Sequence, residues 1–582
     1  MVISNAKIAK LLRNVAAAYT IKKNGNIFQI RAYENAAGAI EHSSAEIQDL
    51  WQEGRLSEVS DLGKKIQGYL DELLKTGKVK HFESMQKGIP AVVFDLLDIS
   101  GVGPATAEKL AQLGVLDLED LKKKIKTKEL VNKGFSPKIA QKLMMGLHDL
   151  SKKDTRLLLP YALVQADKVL NYLKKSPAVL QAHSLGSLRR MASTVGDLDF
   201  SVSSEKEKEV VEYFCKMPGV ARVVDRGESK ASVVLNSGLR LDLLVGKPDS
   251  YGALLQHFTG SKSHNIHLRG LAKDKGYSLS EYGLKKTNGG LIKTVTEEEL
   301  YKKLGLQTPL PEIRENSGEI EAALKHKLPD LVTIEDIKGD LHLHSNFKIE
   351  NSSHGAGVDS IEDIVKKAVE LGYDYVGIAD HPPGFTTVSQ KQIIEWVKKR
   401  TNLIQKIRQS IRGTKSIRVL NSLEIDILKD GSLSVSDEAL AGLDCCIAGI
   451  HSGHRGSKEE ITKRLIGALE NPYVDIISHP TNRLLSERES SDADWEKIFR
   501  VASKKNKILE INAFPTRLDL RDDLVRKALS FGVKFAINTD AHKISQMDNM
   551  RLGIAVARRG WLTKKDVVNT WDWTTFAKWF KI

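Results

Sequence analysis

Two aspartates separated by one residue form the first pattern in this sequence that could do chemistry. In the run Gly196-Asp197-Leu198-Asp199-Phe200, each carboxylate is followed by an apolar side chain. Because side chains alternate between the two faces of a strand, Asp197 and Asp199 are expected on one polar face. Hard oxygen ligands at this spacing suit Mg²⁺ or Mn²⁺. The simpler alternative is a surface hairpin with two solvated aspartates.

A phosphate-binding turn is predicted just upstream, in Gly186-Ser187-Leu188-Arg189-Arg190. The Gly-Ser pair favours a tight turn with free backbone N–H groups. The guanidinium of Arg190 offers a fork of donors that matches phosphate oxygens. A phosphate site next to a carboxylate pair is what metal-assisted phosphoryl transfer requires.

A third carboxylate is predicted from a hairpin further along the chain. The segments Ser232–Leu235 and Leu239–Val245 read as strands, and 236–238 (Asn-Ser-Gly) reads as their turn. Asp242 alternates with apolar neighbours in the second strand. If this hairpin lies beside the first strand, Asp242 joins the two aspartates around a pair of cations and helps to activate an attacking hydroxyl.

These motifs resemble the active site of the family X DNA polymerases, where GS-x-RR is followed by G-D-x-D and a distant R-x-D. The resemblance continues in the run 257–261 (His-Phe-Thr-Gly-Ser), at Asn265 and Arg269, and ends near 281–283 (Glu-Tyr-Gly). Many members have tyrosine where this chain has His257, so the preference for deoxyribose is left open.

The resemblance also implies a role for each matching residue. Both metal ions at the polymerase site would be held by Asp197 and Asp199, with Asp242 as the base-like third acid. The triphosphate would be held by Gly186, Ser187 and Arg190. The incoming nucleotide would touch Asn265, and the template side of the minor groove would touch Arg269.

The length and charge of the chain set wider bounds. At 582 residues, about four domains or subdomains are expected. The net charge of +14 suits a polyanionic partner such as DNA. Three cysteines (Cys215, Cys445, Cys446) cannot build a disulfide framework. With no apolar segment of signal-peptide or membrane-span type, we expect a cytoplasmic monomer that makes no membrane contact.

The amino-terminal third reads as helical, beginning with an amphipathic helix that contains Ile8 and Tyr19. Gly101 and Gly103 sit in a Gly-x-Gly turn before Pro104, a pattern that resembles the helix-hairpin-helix element. Its glycines let a DNA phosphate approach the backbone. An ordinary helix–helix turn is the alternative.

A weaker copy of that hairpin lies at 59–66, followed by a helix. Family X members with lyase activity use a lysine in this helix as a Schiff-base nucleophile, and Tyr69 occupies that position here. Lyase activity through the usual residue is therefore not expected, and Lys64 or Lys65 is left open as a substitute. These two lysines are also predicted to contact DNA.

From residue 337 onward, short apolar runs alternate with amphipathic helical stretches, and most runs end in a residue that can bind a metal. Chemistry at the carboxyl ends of successive strands is typical of a (β/α) barrel. Imidazoles mixed with carboxylates favour Zn²⁺, Mn²⁺ or Fe²⁺ in a cluster of two or three ions.

This second pattern closely resembles the PHP (polymerase and histidinol phosphatase) domain, a three-metal phosphoesterase. The resemblance implies a ligand set of His342, His344, His381, Glu424, His451, His479, Asp540 and His542. The family's usual acid shortly after the second histidine is missing, so Glu350 or His354 replaces it or one ion is lost. A substrate phosphate is expected near His454, Arg483 and Arg517.

Together the two resemblances predict a multidomain chain. Its parts are an all-α helix-hairpin-helix region, an α+β nucleotidyltransferase palm and thumb, and a C-terminal (β/α) PHP barrel. The predicted boundaries are 1–90 (lyase-like helical domain), 91–150 (helix-hairpin-helix), 151–247 (palm), 248–315 (nucleotide and minor-groove contacts), 316–334 (linker) and 335–582 (PHP).

The predicted function is a DNA-directed DNA polymerase that fills short gaps during repair on gapped or primed DNA with deoxynucleoside triphosphates. The PHP domain would trim 3′ ends or cleave at abasic sites. Two alternatives stay open at this point. In one, the barrel is the sole enzyme and the front half only binds DNA; in the other, the barrel is a structural platform.

Overall fold

A computed structural model describes residues 5–23, 25, 27–41, 47, 51, 56, 62–99, 102–151, 156–287, 289–349, 355–411 and 417–582. The chain divides into two compact units. The first contains residues 1–156, 164–168 and 212–242, and the second contains 157–163, 169–211 and 243–582. The boundary between Asp242 and Leu243 falls inside a single strand. The bounds of the six segments expected above stay predictions.

The first unit begins with the predicted amphipathic helix. Its apolar residues Ile8, Leu12, Val15 and Tyr19 recur at helical spacing and are buried, as the pattern predicted. The helices that share this core are Asn5–Lys22, Ile27–Glu41, Lys64–Thr76 and Lys80–Gln86.

A second helical cluster follows and contains the Gly-x-Gly turn. Its core includes Val93, Ile99 and Leu110. Gly103 caps the helix after the turn, and Pro104 takes its first position, where a missing N–H costs nothing. The helices are Ala91–Leu96, Pro104–Gln112, Leu118–Lys126, Glu129–Asn132 and Pro137–Ser151.

The predicted hairpin around residues 236–238 is present in the first unit. The N–H of Leu235 donates to the carbonyl of Leu239 at 2.9 Å, and Gly238 takes a φ of +84°, which glycine adopts without strain. The antiparallel strands of this unit are Val220–Arg226 and Lys230–Leu235, followed by the first residues of Arg240–Gly246.

In the second unit, the strand Leu198–Ser203 carries the first aspartate motif. It pairs antiparallel with Gln181–Ser184, and the N–H of Ser204 donates to the carbonyl of Gly246 at 3.0 Å. Leu157–Leu158 pairs with Thr194–Val195. The helix Gly186–Arg189 belongs to this unit, and the helices Leu159–Leu173 and Glu207–Cys215 each contain residues of both units.

Residues 248–324 form a separate layer of helices around a small antiparallel sheet. The sheet has the strand order Leu291–Ile292, Gly283–Lys286, Tyr277–Ser280. Its core includes Leu268, Leu284 and Tyr301. The α-helices are Tyr251–Thr259, Lys262–Asp274, Glu297–Lys303 and Glu319–Leu324, with 3₁₀ turns at Pro248–Ser250 and Pro311–Ile313.

Residues from 339 onward form a seven-stranded, all-parallel sheet that follows chain order. Leu343 of the first strand forms a parallel bridge with Ala541, which follows the last strand, and this contact nearly closes the sheet into the predicted barrel. The strands are Gly339–Leu343, Tyr375–Ile378, Arg418–Asp426, Cys445–Gly449, Ile476–Ile477, Ile508–Asn512 and Lys534–Asn538.

Side-chain caps start several helices around this barrel. The hydroxyls of Ser360, Ser389 and Ser457 each accept the N–H three residues on, which satisfies a donor that the first helical turn leaves free. The α-helices are Ile361–Glu370, Gln390–Ser410, Asp437–Leu440, Lys458–Glu470, Trp495–Lys504, Asp522–Leu529, Met550–Arg559 and Trp573–Phe580, with 3₁₀ turns at Ile334–Asp336, Ile544–Asn549 and Val568–Thr570.

The last helix, Trp573–Phe580, packs on the barrel core. Phe576 and Phe580 are buried with Tyr375, and Trp571 and Trp573 pack on the same cluster. Cys215, Cys445 and Cys446 are free thiols. Among the described residues, no helix combines the length and the apolar character that a membrane crossing needs.

Candidate active sites

The centre of the barrel rim is the carboxylate of Glu424. Its Oε2 atom lies 3.0 Å from Nε2 of His342 and 3.2 Å from Nε2 of His381, while its Oε1 atom lies 3.2 Å from Nε2 of His451 and 3.0 Å from Nε2 of His479. The two oxygens therefore face different histidines, which is the arrangement of a carboxylate that bridges two ions.

Three overlapping groups at this rim offer ligand atoms within 4.8 Å of one another. They are His344/His381/His542, His342/His344/Glu424/Asp540 and His381/Glu424/His451. His479 adjoins them through Glu424. The fold thus brings all eight sequence-predicted ligands of the barrel to one rim.

The donor set fits a cation cluster. Nδ1 of His344 is buried and has no hydrogen-bond partner among the described residues, whereas Nε2 of His342 faces the carboxylate of Glu424 at 3.0 Å. An unpaired buried nitrogen is costly unless something binds it. Ligand atoms about 2.0–2.2 Å from a shared ion stand about 3–3.5 Å apart, which is the spacing seen around Glu424. We conclude that the rim can hold metal ions.

Charges within the cluster shift its pKa values strongly. Burial alone would raise the pKa of Glu424, but His342, His381 and His451 hold it well below its usual range. Burial likewise opposes the charged form of His451, yet Glu424 and Asp426 raise its pKa to about 9. The pKa of His542 falls to about 4 because it is buried and stacked beside His344. Such opposed shifts are typical of functional sites.

Two carboxylates that the sequence motifs did not reveal contact ligand histidines at Nδ1, the ring nitrogen that does not face Glu424. An oxygen of Glu510 lies 2.7 Å from Nδ1 of His342, and an oxygen of Asp426 lies 2.6 Å from Nδ1 of His451. Carboxylate–histidine pairs of this kind orient metal ligands. A lone acid inside the apolar run Ile508–Ile511 was the signal that could have revealed Glu510.

The predicted phosphate ligands separate into two kinds. Nδ1 of His454 and Nη1 of Arg517 are buried without a hydrogen bond among the described residues, so both can take an anion. Burial and Arg488 lower the pKa of His454 to about 3. By contrast, Arg483 donates to the carbonyls of Arg517 and Leu518, so its guanidinium is already engaged. The replacements suggested for the missing acid, Glu350 and His354, lie outside the described residues.

At the polymerase motif, the turn and the acid lie together. Gly186 takes a φ of +58°, and a Cβ there would stand 3.5 Å from Oδ2 of Asp199. The N–H of Leu185 donates to the carbonyl of Asp199 at 2.8 Å. Asp199 is half-buried and Asp197 is exposed, whereas Leu198 is buried on the other face. The strand begins at Leu198, one residue later than predicted, so Asp197 precedes it; the expected alternation of burial holds from Leu198 to Phe200, and the rest of the strand is buried throughout.

The third acid is held within its own hairpin. Nε of Arg240 donates to Oδ2 of Asp242 at 3.0 Å, and the hydroxyl of Ser232 contacts its Oδ1 atom. Asp242 falls in the first compact unit, and the other two aspartates fall in the second. The approach of Asp242 to that pair therefore stays a prediction.

Arg190, the predicted triphosphate ligand, is engaged on two sides. Its Nε atom donates to Glu315 at 2.9 Å, and its Nη1 atom donates to the carbonyl of Thr259 at 2.6 Å. The neighbouring Arg189 pairs with the buried Glu297 at 2.6 Å, and Glu297 also contacts the buried Arg314. This arginine–glutamate–arginine network was not expected from sequence, because Arg189 lies 108 positions before Glu297.

The predicted nucleotide-contacting residues adjoin one another. Nδ2 of Asn265 donates to the carbonyl of His257 at 2.7 Å, and Gln256 holds its Oδ1 atom at 2.7 Å. Nη2 of Arg269 lies 3.1 Å from Nδ1 of His257, whose ring lies 4.7 Å from that of Phe258. Asn265, Arg269 and His257 therefore form one patch on two consecutive helices.

In the helical region, the predicted DNA contacts are exposed where they are described. Lys64 and Lys65 begin the helix Lys64–Thr76 and are exposed. Gly103 has open space where a Cβ would stand, whereas Gly101 lies outside the described residues. Tyr69, at the lyase position, stacks on His81 with 4.8 Å between ring centroids. A tyrosine cannot form an imine, so the structure offers no usual lyase nucleophile at this position.

Known domain families match most of the chain. A helix-hairpin-helix domain matches residues 3–79, a SAM-like tandem helix-hairpin-helix matches 93–149, the DNA polymerase beta thumb matches 254–315, and the PHP domain matches 340–514. The architecture is therefore that of a DNA polymerase with a phosphoesterase barrel at its carboxyl end.

Full-length similarity defines the family more closely. A Bacillus subtilis (strain 168) protein named DNA polymerase/3'-5' exonuclease PolX is 35% identical over 567 residues, which cover 97% of this chain and 96% of that relative. The chain belongs to the family X DNA polymerases that carry a PHP domain. Proteins named as probable phosphatases are also similar to part of the chain. One from Thermoanaerobacter sp. (strain X514) is 27% identical over 241 residues, which cover 40% of this chain and 89% of that relative. One from Acetivibrio thermocellus is 27% identical over 208 residues, which cover 34% of this chain and 80% of that relative.

Proposed function

We propose that the chain is a DNA-directed DNA polymerase with 3′–5′ exonuclease activity, which fills short gaps during DNA repair. Similarity along 97% of its length to a Bacillus subtilis relative whose name gives both activities supports this proposal. The observation that carries the exonuclease part is the cluster of six histidines, Glu424 and Asp540 at the barrel rim. Cleavage at abasic sites is the alternative activity proposed for the same barrel.

In the polymerase reaction, the primer 3′-hydroxyl attacks the α-phosphate of the nucleotide and pyrophosphate leaves. Asp197, Asp199 and Asp242 would hold Mg²⁺ or Mn²⁺, which supply charge stabilisation to the phosphate oxygens. The turn at Gly186 and Ser187 would hold the triphosphate with Arg190, and Asn265 and Arg269 would contact the new base pair.

In the barrel, Glu424 and the surrounding histidines and Asp540 would hold Zn²⁺, Mn²⁺ or Fe²⁺. When bound, these ions supply Lewis-acid catalysis and activate water for attack on a phosphodiester. His454 and Arg517 would hold the phosphate with the two buried atoms that lack partners. The chain's DNA substrate would be steered by its net charge of +14.

Primer extension on gapped DNA and 3′ trimming of single-stranded DNA test the two parts separately. We expect Asp199→Ala to lose extension and keep trimming, and Glu424→Ala to lose trimming and keep extension. Each variant is the control for the other, because its unchanged activity shows that the chain is folded. No extension by the wild type would refute the polymerase proposal, and trimming by Glu424→Ala at the wild-type rate would refute the barrel's role.

A further inference from the structure

The predicted triphosphate ligand shares a carboxylate with an arginine from the barrel. Oε1 of Glu315 accepts from Nε of Arg190 and from Nη1 of Arg559, each at 2.9 Å. Arg559 ends the barrel helix Met550–Arg559, and it also holds Asp522 through Nη2 at 2.7 Å. The charges of Arg190, Glu315, Arg559 and Asp522 therefore alternate along one chain of contacts.

The barrel also holds the backbone that follows the phosphate-binding turn. Nη1 of Arg559 donates to the carbonyl of Arg190 at 2.8 Å, and Nη2 of Arg483 donates to the hydroxyl of Ser193 at 3.3 Å. Between them, Met191 has a φ of +54°, a left-handed conformation that costs free energy for a residue other than glycine. Such a conformation persists when its surroundings fix it, and two barrel arginines supply contacts here.

These contacts are poorly hydrated. The side chains of Arg559 and Arg190 are 9% and 14% exposed, so water screens their charges only weakly. With Arg559 present, the negative charge of Glu315 is divided between two cations. Without Arg559, Glu315 would pair with Arg190 alone, and an incoming phosphate would have to compete with a stronger ion pair.

We propose that Arg559 of the barrel is a positioning residue for nucleotide binding at the polymerase site. It fixes the carbonyl of Arg190 and shares Glu315, so that the ion pair with which a triphosphate must compete at Arg190 is weaker. The inference rests on the proposed role of Arg190. It makes the barrel part of the support of the polymerase site as well as a hydrolytic centre.

Steady-state gap filling by Arg559→Met in the full-length protein tests this inference. We expect the KM for the nucleotide to rise about tenfold, with kcat within about twofold, because a binding contact is weakened before the chemical step. Trimming of 3′ ends should stay at the wild-type rate, which shows that the barrel is intact. An unchanged KM in Arg559→Met would overturn the inference.

The adjacent arginine provides a matched control. Arg558 lies on the same helix and pairs with Glu312 at 2.7 Å, and it donates to the carbonyl of Val332. These partners differ from those of Arg190, which are Glu315 and the carbonyl of Thr259. Arg558→Met should therefore leave the nucleotide KM near the wild-type value. An equal rise in both variants would mean that loss of any barrel contact has this effect, and would overturn a specific role for Arg559.

Two further variants separate this inference from the proposed function. Arg190→Met should raise the nucleotide KM at least as much as Arg559→Met; no rise would refute the role of Arg190 and with it the inference. If Arg190→Met raises the KM and Arg559→Met does not, the polymerase function stands and the coupling fails. In a Glu315→Gln background, Arg559→Met should have a smaller effect on KM, and an undiminished effect would refute the route through Glu315.

Discussion

Glu510 lies with its Oε1 atom 2.7 Å from Nδ1 of His342, and both side chains are fully buried in the barrel. The other imidazole nitrogen of His342 faces Glu424 at 3.0 Å. Glu510 is held in turn by Asn538 at 3.0 Å and by the N–H of His479 at 2.7 Å. A rigid carboxylate thus fixes the orientation and the proton position of one predicted metal ligand.

Substitution of Glu510 by glutamine should weaken metal binding without removing a ligand. We expect about a 10- to 100-fold lower metal affinity and slower 3′ trimming that recovers when excess Mn²⁺ is added. Metal titration followed by the nuclease assay measures both effects. Glu459→Gln, on the exposed start of a barrel helix, should change neither. Wild-type affinity in Glu510→Gln would show that this carboxylate does not support the site.

Metal removal should destabilise the protein. A ligand that binds the native state alone contributes about 4 kcal/mol when its concentration is a thousand times its Kd. Without ions, the buried histidines and carboxylates at the rim lose that stabilisation. We expect thermal unfolding at a lower Tm after chelation, with recovery on added Mn²⁺. Glu424→Ala, which lacks the shared carboxylate, should respond much less to chelation. Identical Tm values with and without chelator would contradict a bound cluster.

Glu297 should make stability depend on pH in the acid range. Burial alone would raise its pKa, but Arg314 and Arg189 lower it to about 2 from an ordinary 4.5. Because the folded state favours the charged form, its stabilisation is complete above pH 4.5 and is lost as pH falls toward 2. Glu297→Gln should lose about 3 kcal/mol of unfolding free energy at pH 7, and this difference should shrink between pH 4.5 and 2.

Denaturant unfolding at several pH values checks this expectation. The next residue on the same helix, Glu298, is exposed and offers a matched control. Glu298→Gln should cost less than about 0.5 kcal/mol, since surface changes of this kind have small effects. A pH-independent difference between wild type and Glu297→Gln would show that the carboxylate's charge does not stabilise the fold.

Arg517 should bind substrate phosphate at the barrel. Its Nη1 atom is buried without a hydrogen bond among the described residues, and its Nε atom lies 3.7 Å from Asp540. Arg517→Met should reduce kcat/KM for 3′ trimming about 10- to 100-fold and leave the bound metal content unchanged. Arg500→Met, on an exposed helix face, is the control and should trim at the wild-type rate. Loss of metal in Arg517→Met would instead indicate a role in holding the cluster.

The motifs predicted from the sequence were those in which the important residues are close together in the chain. The alternation at Asp197–Phe200 fixes which side chains share a face, because a strand has a period of two residues. Metal-capable residues at the ends of successive apolar runs predicted a barrel rim, because parallel strands bring their carboxyl ends together. Both inferences needed only local spacing and the rules of sheet topology.

The supporting contacts could not be predicted in this way. Glu510 and His342 are 168 positions apart, and Arg190 and Arg559 are 369 positions apart. No periodicity links residues so distant, and each is common enough on a protein surface to carry no signal alone. For Arg483, local spacing suggested a role that the tertiary contacts do not favour. Its position near a ligand motif suggested phosphate binding, but its guanidinium donates to the backbone carbonyls of Arg517 and Leu518.

The sequence by itself determined the kinds of chemistry and the order of the domains, since residue type and short-range spacing specify ligands, turns and strands. The tertiary structure alone decided which histidines face each oxygen of Glu424, which arginines are free for a phosphate, and which barrel residue supports Arg190. The physical reason is that burial, charge neutralisation and hydrogen-bond partnership depend on distances between segments, and those distances exist only once the chain has packed.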